Sequence, residues 1–182
     1  MRRLEIFLLS CIILVLGSSC TKAQYVIPNS SSIEGVKIGD YIGEVRKKLS
    51  KRFICQKSTI ELEGEKCPVL LIKDKDGKKL FILEEYEKKV WRIQIISPRY
   101  KTKEGIHIGS TLAEAIKVYG QPSILEGEGT FATFKNQQHL SFNLKYDYYK
   151  IDLDNTNYNK YANEITVEYI LIVDTQWFMM HL

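Results

Sequence analysis

The sequence predicts an α+β protein made of two similar halves, each one helix packed on an antiparallel sheet. Three observations carry that prediction. A segment near residue 34 returns near residue 104. Each copy runs into a short stretch with apolar residues at helical spacing. Each such stretch is followed by short segments of strand character, bounded by turn residues. The composition suits a packed chain: of 182 residues, 45% are hydrophobic and 26% charged, which excludes wholesale disorder. The net charge of +4 is too small to argue a nucleic-acid partner.

The chain opens with a basic start, Met1–Arg3, and an apolar run, Ile6–Leu16, broken only by Ser10. The run is shorter than the roughly 20 residues that cross a bilayer, and it fits the core of a signal peptide. Residues 1–19 are therefore set apart from the fold. Gly17-Ser18-Ser19-Cys20 resembles the lipobox of bacterial lipoproteins, although Gly17 stands where that pattern usually has a larger apolar residue. The resemblance implies that Cys20 is lipidated and becomes the first mature residue of an outer-membrane lipoprotein facing the periplasm. Ordinary secretion, with cleavage after Ala23, is the alternative. Residues 20–32 hold Pro28, Asn29 and three consecutive serines, and read as a flexible tether.

The repeat follows. Glu34-Gly35-Val36-Lys37-Ile38-Gly39 aligns without a gap on Glu104-Gly105-Ile106-His107-Ile108-Gly109, and the match runs on through Glu44/Glu114 and Lys47/Lys117. The two repeats are placed at 33–100 and 104–173, with 174–182 as a tail. In the first copy Ile42, Val45 and Leu49 share one helical face. In the second, Leu112, Ala115, Ile116 and Tyr119 do. Asp40 and Ser110 are equivalent N-cap candidates, and Thr111 with Glu114 forms a competing capping box. Gly120 and Pro122 stop the second helix.

Strands are expected at Arg52–Lys57, Pro68–Lys73, Lys79–Glu85 and Val90–Ser97. In the second half they are expected at Ser123–Glu126, Thr130–Phe134, His139–Leu144 and Glu164–Val173. Lys150–Asn163, rich in Asn, Asp, Lys and Tyr, reads as a long exposed loop. Each half alone is small enough to be marginally stable, so the halves must pack together or share a sheet.

A strand, Ile-Gly, a polar cap, an amphipathic helix and Gly-x-Pro, as in Ile108–Pro122, resemble the repeat of β-lactamase-inhibitor-protein-like domains. The pattern is also similar to the small lipoprotein of the outer-membrane β-barrel assembly machinery. The first copy departs from it, with Lys51-Arg52-Phe53 in place of Gly-x-Pro. The resemblance implies a helix-on-sheet fold used for protein contact in exported bacterial proteins, and carries over neither a partner nor a binding residue.

Once residues 1–19 are removed and Cys20 is lipidated, Cys55 and Cys67 are the cysteines left. An exported protein sits where disulfides persist. A hairpin centred on Glu61 would set Cys55 opposite Cys67, close enough to bridge. The alternative is two reduced, buried thiols.

Other candidate sites favour plain readings. Asp74-Lys75-Asp76-Gly77 lacks the distal Glu of a calcium loop and reads as a hairpin turn. The Asp152–Asn157 run lacks the central Gly and reads as a solvated loop. Arg46, Lys47, Lys48, Lys51 and Arg52 avoid the apolar face of the first helix and read as a solvated face, with attraction to anionic lipid as the rival. Tyr146, Tyr148, Tyr149, Tyr158 and Tyr161 suit an interface as well as a strand surface. The sequence offers no metal site, no cofactor motif and no catalytic constellation. The expected function is that of an exported, lipid-anchored, non-enzymatic envelope protein that binds another envelope protein. The alternative is a periplasmic module holding a small ligand or lipid between helix and sheet.

Overall fold

The computed structural model describes residues 25–27, 32–62, 64–151, 153 and 158–174. Residues 1–19, expected to be a signal segment, Cys20 and all of the tail after Asp174 lie outside the described residues. Among the described residues, strands account for 47% and helices for 14%.

Short strands lead in: β1 (Tyr25–Val26), β2 (Ser32–Ile33) and β3 (Val36–Lys37), followed by helix α1 (Ile42–Leu49). Four longer strands follow: β4 (Ile54–Leu62), β5 (Glu65–Lys73), β6 (Lys79–Tyr86) and β7 (Lys89–Ile95). After β8 (Tyr100–Lys101) come α2 (Leu112–Tyr119), β9 (Ser123–Glu126), β10 (Thr130–Thr133), β11 (Leu140–Lys145), the single-turn α3 (Tyr158–Tyr161) and β12 (Thr166–Val173).

One eight-stranded sheet organises the fold, in the order β4-β5-β6-β7-β12-β11-β10-β9, with every neighbouring pair antiparallel. This corrects the expectation of two halves, each a helix on its own sheet. Two four-stranded meanders meet at β7 and β12, where Ile95 faces Ile170 and Ile93 faces Ile172. The physical reason is the inner edge. A free β7 or β12 would leave a row of unpaired backbone N–H and C=O groups, and each strand satisfies the other's. Helices α1 and α2 have eight residues each and cover only part of that sheet.

Alternation divides the sheet into two faces. On one, Ile72, Phe81, Leu83, Ile93, Ile95, Phe142, Ile170 and Ile172 are fully buried beneath the helices and the N-terminal strands. Val45 and Leu49 of α1, and Leu112, Ala115 and Tyr119 of α2, join this core.

The segment before each helix is stitched to the central strands in the same way. Gly39 N–H donates to Val90 O (2.7 Å) and Gly109 N–H to Val167 O (2.8 Å). Val90 and Val167 donate in return to Asp40 O and Ser110 O. Gly39 has φ 89° and Gly109 φ 92°, backbone that side-chain-bearing residues rarely adopt. Asp40 and Ser110 do equivalent work, but not as helix caps. Each closes the preceding turn, accepting from the N–H of Lys37 (2.9 Å) and of His107 (3.2 Å). α1 has no side-chain cap, whereas Thr111 and Glu114 form a complete capping box on α2.

Two further expectations change. Tyr25–Ile27 is part of the folded body rather than of a tether: β1 pairs in parallel with β8, the Tyr25 ring stacks on Tyr100, and Ile27 is buried in the core. The segment Lys150–Asn163 is not simply exposed, because Ile151, Leu153 and Ala162 are buried and Tyr158 and Tyr161 pack against the core.

Candidate functional site: an open sheet face and a tyrosine-lined cleft

The second face of the sheet is free of the helices. Its middle carries a buried carboxylate. Glu84 on β6 faces Arg92 on β7 across the Glu87-Lys88 turn and is only 1% exposed. Arg92 donates to Glu84 Oε2 from both Nε and Nη2 (2.9 Å each) and reaches Glu128 Oε2 at 2.8 Å. Burial pushes the Glu84 carboxyl above its ordinary range, and the Arg92 charge beside it opposes that shift. Counting outward from the Glu87-Lys88 turn would have paired Glu84 with Trp91, and the bulge between Glu84 and Glu85 sets it opposite Arg92 instead. Nothing in the sequence announces that Glu128, from the β9–β10 loop, closes over the same guanidinium.

Glu128 forms a wall between two depressions. One, of about 180 Å³, is lined by Arg92, Leu125, Phe131, Ser141 and Leu171. The other is a cleft of about 420 Å³ where β10, β11 and β12 open beneath the β9–β10 loop. Tyr146, Tyr148, Tyr169, Asn143, Lys145 and Glu168 supply its chemistry. The Thr130 hydroxyl fixes one wall, bonding both Glu126 Oε2 and the Tyr146 hydroxyl at 2.9 Å. Tyr148 and Tyr149 stand at the rim, 67% and 86% exposed, with ring centroids 4.0 Å apart. The tyrosine cluster read from the sequence therefore divides. Tyr146 and Tyr148 line the cleft, with Tyr149 against the Tyr148 ring, while Tyr158 and Tyr161, and the inner side of Tyr146, pack against the core.

The remaining sequence candidates fall elsewhere. The β4–β5 hairpin bends at Gly64, not Glu61, so Cys55 pairs with Ile72 and Cys67 with Ile60. In that register the two cysteines look out of opposite sheet faces, five positions apart, so the alignment that would have set them side by side is corrected. Asp74 is a turn residue: its Oδ1 accepts from the N–H groups of Asp76 and Lys78, and its Oδ2 from Arg99. Of the Asp152–Asn157 run, only Leu153 is described. His107 Nδ1 lies 2.8 Å from Ile108 O, and neither His107 nor His139 lines either depression. Among the described residues no three His, Cys, Asp or Glu side chains gather as a metal site.

The architecture is thus one large, eight-stranded antiparallel sheet with short helices on one face and a polar, tyrosine-rimmed cleft on the other. No protein-family model and no curated protein matches the chain. Among solved structures, that of the uncharacterized protein yfeY from Escherichia coli is similar, with a TM-score of 0.61 over 83% of this chain and 99% of that one. At 10% identity, that likeness shows the fold alone.

Proposed function

We propose that this chain is an exported, lipid-anchored, non-enzymatic envelope protein that binds another protein through the tyrosine-rimmed cleft. The observation that carries the reading is the exposed pair Tyr148 and Tyr149 beside a cleft holding Glu128, Glu168 and Lys145. Tyrosine presents a large apolar body with a polar tip at small entropic cost, so exposed tyrosines around a polar cleft suit contact with a partner. The basic start, the apolar run and Cys20 support export and anchoring. The alternative of a ligand held between helix and sheet gains less support, because Phe81, Leu83, Leu112 and Phe142 fill that layer with fully buried side chains.

Two measurements test the proposal. A photo-crosslinking residue at position 148 should yield a discrete adduct in cells, and the same residue at exposed Lys135 should not. Equal labelling at both positions overturns the cleft as an interface. Cys20→Ala should release the protein from membranes or block its processing, and unchanged membrane retention overturns the anchor.

A further inference from the structure

The anchor proposed above constrains which end of the molecule meets the bilayer. Tyr25 N–H donates to Arg99 O (2.7 Å), and Arg99 in turn holds Asp74 of the β5–β6 turn. Only residues 21–24 separate Cys20 from Tyr25, a reach of about 17 Å at full extension. An acylated Cys20 therefore keeps the β5–β6 turn close to the membrane surface. That turn exposes Lys75, Lys78 and Lys79. The exit of α1 lies at the same end, because Arg46 and Lys75 both act on Cys55 and β4 begins beside the end of β5. It adds exposed Lys47 and Lys51. Two of the acidic groups here are already occupied, Asp74 by Arg99 and Glu34 by Arg52, which leaves Asp76 against the lysines. Tyr25 and Ile54, 39% and 42% exposed, stand among these cations. A tyrosine and an aliphatic side chain ringed by lysines suit the headgroup level of a bilayer.

We infer that this end, built from the β5–β6 turn and the exit of α1, is a docking surface for anionic phospholipid head groups. It works as a second attachment beside the acyl anchor, and it orients the body. Strand twist turns the tyrosine-rimmed cleft, two to four strands away from β6, by about 40–100° from that end, so the cleft stays open to a partner while the lysines lie on the membrane.

The inference rests on the anchor for its geometry, but its test does not need the lipid. A chain beginning at Thr21 retains every described element. It should float with vesicles of 70% phosphatidylcholine and 30% phosphatidylglycerol, and should not float with phosphatidylcholine alone. Raising the salt from about 0.05 to 0.5 M should abolish flotation by screening. The triple variant Lys75→Glu, Lys78→Glu, Lys79→Glu should weaken partition by about 100-fold, each lysine near an anionic surface contributing roughly fivefold. The triple variant Lys66→Glu, Lys88→Glu, Lys135→Glu changes the charge equally in the turns at the opposite strand ends and should bind nearly as the parent does. Absent preference for the anionic vesicles overturns the inference, and so does equal weakening by both triples, which would mean attraction by net charge alone. Loss of membrane retention in Cys20→Ala together with failed vesicle flotation would leave the anchor standing and remove the docking surface.

Discussion

Arg92 holds Glu84 and Glu128 at once, and Glu84 has no route to water. Truncating one partner of a buried pair leaves the other charged and dry, at a cost of about 3–5 kcal/mol. Arg92→Met should therefore lower stability at pH 7 by that order, read as a shift in the urea midpoint. The pH dependence has a definite sign. The folded Glu84 carboxyl is raised above its ordinary value, so its protonated form is favoured by folding. Its contribution is fully present below the ordinary carboxylate range and is lost as pH rises through the raised value. Without Arg92 that value rises further, and the penalty of Arg92→Met should shrink on acidification from pH 7 towards pH 4. A penalty that stays constant or grows on acidification would show that Glu84 is not the strained charge. Neither the burial of Glu84 nor the closure by Glu128 was legible beforehand, because a Glu in a strand sequence looks alike on a wet and a dry face.

The turn–helix units show how far a short pattern reaches. Gly39 and Gly109 were placed by their recurrence in sequence, and both adopt the left-handed backbone that admits glycine most readily. An added Cβ meets nothing within 4 Å at Gly109, so the cost of Gly109→Ala is backbone strain alone. Gly39→Ala and Gly109→Ala should each destabilise by more than about 1 kcal/mol in chemical unfolding, and by similar amounts. The caps should behave differently from each other. Thr111→Ala removes half of a capping box and should cost about 1 kcal/mol, whereas α1 has no equivalent side chain to lose. Core truncations should also differ: Leu112→Ala removes a fully buried side chain and should cost about 2–5 kcal/mol, and half-buried Ile42→Ala less. The long strands were legible because alternation and turn residues mark them. The cysteine register was not, since moving the bend from Glu61 to Gly64 re-pairs every residue of β4.

Pairing of β7 with β12 makes the two meanders parts of one cooperative object. Ile93, Ile95, Ile170 and Ile172 face one another across that seam and are all fully buried. Separating the halves would expose them together with two strand edges. Residues 25–102 made as a fragment should therefore fail to fold, giving circular dichroism without a cooperative melt. In the whole chain, unfolding followed by Trp91 fluorescence, with Trp177→Phe to isolate the signal, should coincide with unfolding followed by far-ultraviolet circular dichroism. Two separated transitions would mean that each meander has an independent core.

The sequence by itself determined the local grammar: the glycine turns, the two helix faces, the capping box and most strand positions. These depend on neighbours a few residues apart, so period and turn chemistry reveal them. Tertiary structure alone decided that the long strands form one sheet, that Tyr25–Ile27 packs into the body, and that a buried Glu84, held by Arg92 under the more exposed Glu128, divides the open face beside a tyrosine-rimmed cleft. Each of these joins backbone edges or side chains distant along the chain. The free energy that selects them comes from satisfying unpaired backbone groups and burying apolar area in three dimensions, and a one-dimensional pattern carries neither.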